Sequence, residues 1–133
     1  MVRQVPPQTL RPTTIPTSLS VVTGSSSGIG RGAVELALSQ GDKVIATLRK
    51  PEVLSELTKQ YTSDKLLVLK LDTTNNEEVK SVFKTGREHF GRVDVVYSNA
   101  GIGINAEVES TPEEDSRAII AVGGRFLLLL LMI

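Results

Sequence analysis

The 133-residue sequence contains no cysteine. That removes disulfide scaffolds, thiolate metal sites and cysteine nucleophiles together, and no metal site is assigned. It also fits a reducing compartment, so a cytoplasmic location is expected. Charge of one sign is missing too. Fifteen Lys and Arg balance 15 Asp and Glu, for a formal net charge of +0, which gives no basis for a polyanionic partner such as nucleic acid. No continuous apolar stretch opens the chain, as a secretory signal would require. Met1 to Thr17 instead carries Pro6, Pro7, Pro12 and Pro16 and reads as a flexible leader. No acid precedes Glu35, but four prolines would break the amphipathic helix of a transit peptide. The final apolar run, Phe126 to Ile133, is too short to span a bilayer, and Arg125 blocks its extension backward, so no membrane helix is expected. This run reads as a buried or interface helix that packs on a partner helix or on a second copy of the chain.

What is present suits one domain spanning residues 18–133, with 40% hydrophobic residues and length enough to bury roughly two-thirds of its unfolded surface. From Leu19 onward, short apolar runs alternate with longer segments of helical period. That is the pattern of an α/β fold, a parallel sheet with crossover helices. Strands are expected at Ser20 to Thr23, Lys43 to Thr47, Lys65 to Leu71 and Val93 to Tyr97. Between them, Ile29, Ala33, Leu36 and Ala37 recur at helical spacing up to Gly41. Pro51 opens a short helix with Val53, Leu54 and Leu57 as its apolar face. Thr74 and Glu77 have capping-box spacing ahead of a helix striped by Val79, Val82, Phe83 and Phe90 and ended by Gly91. Thr111 as N-cap, Pro112 in the first turn and Glu114 as capping acid predict one more helix, running toward the C-terminus.

The most informative segment is Thr23-Gly24-Ser25-Ser26-Ser27-Gly28-Ile29-Gly30, set where a buried strand turns into an amphipathic helix. A diphosphate reaching a helix N-terminus meets unpaired N–H groups and a favourable dipole, provided no Cβ stands in the way. Gly24, Gly28 and Gly30 remove that obstruction and permit tight turns, while Ser25, Ser26 and Ser27 offer hydroxyls to phosphate or ribose. A phosphate loop of the nucleotide-hydrolase type is disfavoured, because its lysine is absent and the glycine spacing is one residue short. Gly28, Gly30 and Ala33 also satisfy the general dinucleotide fingerprint G-x-G-x-x-G/A.

With these residues the chain resembles the short-chain dehydrogenase/reductase family, whose Thr-Gly-x-x-x-Gly-x-Gly pattern is met by Thr23, Gly24, Gly28 and Gly30. Asp72 stands where that family contacts the adenine amino group, and Asn99-Ala100-Gly101 matches its Asn-Ala-Gly element, with Ser98 in place of a further Asn. The resemblance covers roughly Ser18 to Arg117. It implies a Rossmann-like doubly wound parallel sheet, here truncated after about four strands, and a coenzyme site of Thr23, Gly24, Ser26, Ser27, Gly28, Ile29, Gly30, Arg49, Asp72, Asn99, Ala100 and Gly101. Competing readings stay open for two of these. Asp72 could be a helix-side cap or a solvated turn, and Asn99 a turn former that in the family chiefly holds neighbouring strands together.

The second strand ends Thr47-Leu48-Arg49-Lys50, with Leu48 near the position of the acid that usually accepts the ribose hydroxyls of NAD. A cation there suits a 2′-phosphate, so NADP is expected over NAD. The alternative is that Arg49 and Lys50 form a solvated approach to the next helix, with Glu52 close by. The family's catalytic serine, tyrosine and lysine would fall beyond the last helix, and no catalytic residue is assigned. Tyr61 and Lys65 have tyrosine-x-x-x-lysine spacing but flank a turn ahead of the third strand, and His89, the single histidine, reads as a solvated side chain. Ser110 and Ser116 belong to the start of the last helix, and Gly123 and Gly124 stand where the family carries an asparagine. The resemblance therefore implies an NADP-dependent oxidoreductase acting on a small carbonyl or alcohol, of which this chain supplies coenzyme binding. The alternative is a non-catalytic dinucleotide-binding or interaction fragment, and a weaker third reading is a nucleotide-binding regulator.

Overall fold

Four short, largely apolar runs form a parallel sheet in the order β3-β2-β1-β4, with β1 at Leu19–Thr23, β2 at Lys43–Leu48, β3 at Leu66–Lys70 and β4 at Val95–Tyr97. The structure is a computed structural model that describes residues 17–101 and 108–122. All of the leader but Thr17, the Gly123-Gly124 pair and the run Phe126 to Ile133, with the partner contact expected of it, lie outside the described residues. Helix α1 is Gly28–Ser39, α2 is Ser55–Gln60 preceded by a 3-10 turn at Pro51–Leu54, α3 is Asn76–Phe90 and α4 is Glu113–Ile120. The architecture is Rossmann-like.

Side-chain parity along the strands builds two cores. Val22, Val44, Ala46 and Leu48 face one way and pack under α1 and α2 with Val34, Leu38, Leu54 and Leu57. Leu19, Val21 and Ile45 face the other way and meet Val79, Val82 and Phe83 of α3. Helices thus cover both faces, and β2 from Val44 to Leu48 is buried throughout, which is why its sequence reads as a nearly continuous apolar run. Val21 pairs with Ile45 on one side and Val96 on the other.

The helical phase of α1 differs from the expectation. Ile29 is 73% exposed and Leu36 55%, and the buried positions are Gly30, Val34 and Leu38. Gly30 sets this phase, because it lies against the backbone of Gly24 where no side chain fits, and Val34 and Leu38 follow it at intervals of four. Counting apolar residues cannot detect this, since glycine adds nothing to the count. Val53 is likewise exposed, leaving the packing of its segment to Leu54 and Leu57.

Two caps also shift by one residue. Asn75, not Thr74, caps α3, its side chain accepting from the N–H groups of Glu77 and Glu78. The Glu78 carboxylate reaches past this cap to accept the N–H of Asp72, and the Asn75 N–H donates to the Asp72 carbonyl, so the expected reciprocal box gives way to a different pairing. Pro112 occupies the N-cap of α4 in place of Thr111.

At the start of β1, two carboxylates take strand N–H groups. Asp42 Oδ1 accepts from Ser18 at 3.0 Å and Asp94 Oδ2 from Leu19 at 2.8 Å. Bonds from Arg92 and then from the Leu19 N–H hold the Asp94 carboxyl below its ordinary value of about 3.8. A carboxylate whose folded pKa is depressed stabilises the fold above its unfolded pKa and loses that contribution as pH falls through the folded value. Asp94→Asn is therefore expected to lower the melting temperature at neutral pH and to flatten its decline below about pH 4. Parallel wild-type and variant pH–stability curves would contradict this role.

Candidate functional site

The strand order reverses between β1 and β4, and at such a switch point the loops leaving adjacent strands diverge and open a crevice at their C-terminal ends. The glycine-rich loop leaves β1 there. Gly24 and Gly28 adopt φ of 67° and 59°, the left-handed region that costs other L-residues about 1–2 kcal/mol. Ser25 is wholly buried and turned inward, its hydroxyl donating to the Val22 carbonyl at 3.0 Å, where the Thr47 hydroxyl also donates. It therefore offers nothing to a ligand, contrary to expectation. Ser26 and Ser27 are exposed. Ser27 is the N-cap of α1 but makes no side-chain bond to its own helix, and the first turn of α1 carries no acid. The positive end of that helix and a serine hydroxyl are left for an external anion.

Thr23 and Asn99 fasten this loop to β4. The buried Thr23 hydroxyl accepts the N–H groups of Asn99 at 2.9 Å and Ala100 at 3.0 Å. Asn99 Nδ2 donates in return to the carbonyls of Thr23 and Gly24, at 3.2 and 3.3 Å. The glycines divide the labour. A Cβ on Gly30 would stand 2.2 Å from the Gly24 carbonyl oxygen, and one on Gly24 would stand 2.9 Å from Ala100 Cα. Both absences serve packing of the protein on itself. Gly28 has open space around it, so its requirement is the backbone angle.

A cleft of about 270 Å³ lies over this assembly. Of the residues assigned to the coenzyme from sequence, it is lined by Gly24, Ser26, Ser27, Arg49, Asp72, Asn99, Ala100 and Gly101. Thr23, Gly28, Ile29 and Gly30 do not line it: Thr23 and Gly30 lie beneath the loop, and Ile29 points to solvent. Thr47, Leu48, Leu71, Thr73 and Val122 complete the wall. Leu48 ends β2 and Leu71 directly follows β3, positions that the apolar runs mark in the sequence. Val122 carries no local signal, since it reaches the cleft from 49 residues beyond Thr73.

Asp72 does two things at once. Its Oδ1 accepts the Thr74 hydroxyl at 2.6 Å and the Thr74 N–H at 2.9 Å, closing a turn. Those two bonds, then the charges of Arg49 and Lys70, hold its carboxyl below the ordinary range against partial burial. Asp72 is thus an anion at neutral pH, and among the described residues Oδ2 is the oxygen left for a ligand donor. Arg49, exposed at the end of β2, is the cation of the lining. Tyr61 and Lys65 fall at the other end of the sheet, where Lys65 Nζ donates to the Gly41 carbonyl, and His89 contacts the Ser63 carbonyl there. None of the three reaches the cleft.

The two kinds of glycine should respond differently to alanine. Gly30→Ala forces backbone apart and is expected to cost about 1–3 kcal/mol of stability, whereas Gly28→Ala costs about 1–2 kcal/mol through φ alone. Chemical denaturation measures both, and a neutral Gly30→Ala would refute the packing account.

The profile of the short chain dehydrogenase family matches residues 19–125. An oxidoreductase of Botryotinia fuckeliana is 43% identical over 99 residues, which are 74% of this chain and 36% of that protein. An uncharacterized oxidoreductase of Schizosaccharomyces pombe is 42% identical over 93 residues, 70% of this chain and 30% of that one. The solved structure of a short-chain dehydrogenase from Streptomyces avermitilis superposes with a TM-score of 0.82 at 34% identity, covering 87% of this chain and 42% of the other. The chain therefore spans about a third of the length of these relatives and less than half of that structure. On the profile match, which takes in most of its length, the chain belongs to the short chain dehydrogenase family.

Proposed function

We propose that this chain holds the adenosine-diphosphate portion of a nicotinamide dinucleotide, NADP in preference to NAD, as the coenzyme-binding part of an oxidoreductase acting on a small carbonyl or alcohol. The observation that carries this reading is the composition of one cleft: Ser26 and Ser27 at a helix N-terminus free of acids, Asp72 ionised on one wall, and Arg49 at the end of β2. Each element answers a part of the ligand. The α1 N-terminus and the serine hydroxyls suit the diphosphate, Asp72 Oδ2 suits an exocyclic amine, and the Arg49 guanidinium suits a 2′-phosphate. A cleft of about 270 Å³ is at the low end for small-molecule sites, roughly 300–1,000 Å³, which fits part of a dinucleotide better than the whole. When bound, the nicotinamide would supply hydride chemistry. The residues of this chain bind and orient.

A second reading is favoured by the placement of Tyr61 and Lys65. Because they lie at the far end of the sheet from the cleft, no tyrosine–lysine pair among the described residues serves it, and the chain would act as a binding or interaction module without turnover. Binding without carbonyl reduction by the 133-residue chain would support that alternative. A cytoplasmic location is part of the main proposal, supported by the cysteine-free composition.

Arg49→Asp tests the coenzyme assignment. Loss of charge-assisted bonds to a phosphate, about 1.5–3 kcal/mol, should weaken NADP binding about 10- to 150-fold while leaving NAD affinity the same or improved, as read by calorimetric titration. An unchanged ratio of the two affinities would overturn the preference for NADP.

A further inference from the structure

Helix α4 buries none of its residues. Ile120 is largely exposed, and its ion pair, Glu113 with Arg117, lies within the helix and in solvent, where such pairs contribute little. No fully buried apolar side chain pins the end of α4 among the described residues, where Ile119 is only half-buried.

One polar contact does pin it. Thr73, 6% exposed, donates its hydroxyl to the Val122 carbonyl at 2.7 Å. Val122 directly follows Ala121, the C-cap residue of α4. The same two residues, Thr73 and Val122, line the cleft beside Leu71 and Asp72. The clasp thus closes an apolar slot whose floor is the end of β3 and whose far wall belongs to the segment that α4 delivers.

We infer that the seating of α4 and the occupation of this slot by the base of the dinucleotide are linked, with Thr73 as the positioning residue that couples them. The inference rests on the dinucleotide reading above. A flat purine offers apolar faces to Leu71 and Val122 and an amine to Asp72, so the bound ligand adds contact area to a helix with no fully buried side chain among its described residues. Linkage then works in both directions: whatever factor the ligand contributes to seating α4, a seated α4 contributes to affinity. The side chain of Thr73 acts through Val122 and need not touch the ligand.

Hydrogen exchange on the full chain, with NADPH as probe, tests this. In the wild type, NADPH should slow exchange both in Gly24–Gly30 and in Glu113–Val122. Thr73→Val keeps the shape of the side chain and removes the donor. It should weaken NADPH about two- to tenfold and lose the protection of α4 at saturating ligand, while protection of the glycine loop persists. Thr73→Ser, which keeps the hydroxyl, should restore both. Protection of the loop without any change in wild-type α4 would overturn the coupling and leave the coenzyme reading standing, as would a Thr73→Val variant with undiminished affinity and α4 protection. No protection anywhere in the wild type would overturn both.

Discussion

A single buried hydroxyl organises the site. Where parallel strands end, their last N–H and C=O groups run out of ladder partners, and leaving one buried and unpaired costs about 1–3 kcal/mol. Thr23 answers this for two N–H groups at once, those of Asn99 and Ala100, and the Asn99 amide answers it for two carbonyls. This exchange draws β1 and β4 together at their tips and clamps Gly24 against Ala100. Clamping fixes the Gly24 carbonyl, against which α1 can approach only at a residue without a Cβ. Thus Gly30 turns inward, Val34 and Leu38 follow it into the core, and the open end of α1 is aimed over the cleft.

Most of the fold is legible in the sequence. The apolar runs and helical stripes placed every strand and α3 within two residues, because the strands of a doubly covered sheet need apolar residues on both faces. Where the reading slipped, the cause was a contact invisible to local pattern. Ile29 and Leu36 look like core residues by hydrophobicity, but the phase of α1 is dictated by a glycine. Ser25 looks like a phosphate ligand beside Ser26 and Ser27, but its hydroxyl turns to Val22 in the interior. The wall contributed by Val122 depends on a hydroxyl far away in sequence. Motif spacing identified which segments converge on the cleft; it did not separate the residues that hold the loop from those that face the opening.

Charge within the site is arranged with little redundancy. Asp72 uses one carboxylate oxygen to close its turn through Thr74 while it also lines the cleft, so the proposed recognition role would share a side chain with a structural one. The competing readings of that residue, cap or ligand contact, are compatible in this geometry. Arg49 stands near enough to favour the Asp72 anion without a close ion pair to it among the described residues, which leaves the guanidinium fork available.

The Thr23–Asn99 clasp joins residues 76 positions apart, and this has a bearing on the order in which the molecule is assembled. Distant pairings must bear the entropy of closing a long loop before they give anything back, so they form late. During synthesis, the glycine-rich segment emerges long before the strand that braces it. Until Asn99 and Ala100 arrive, Thr23 has no partner of this kind and α1 has no fixed Gly24 carbonyl to settle against. The glycine-rich loop thus acquires its working shape only when a strand synthesised later docks beside it.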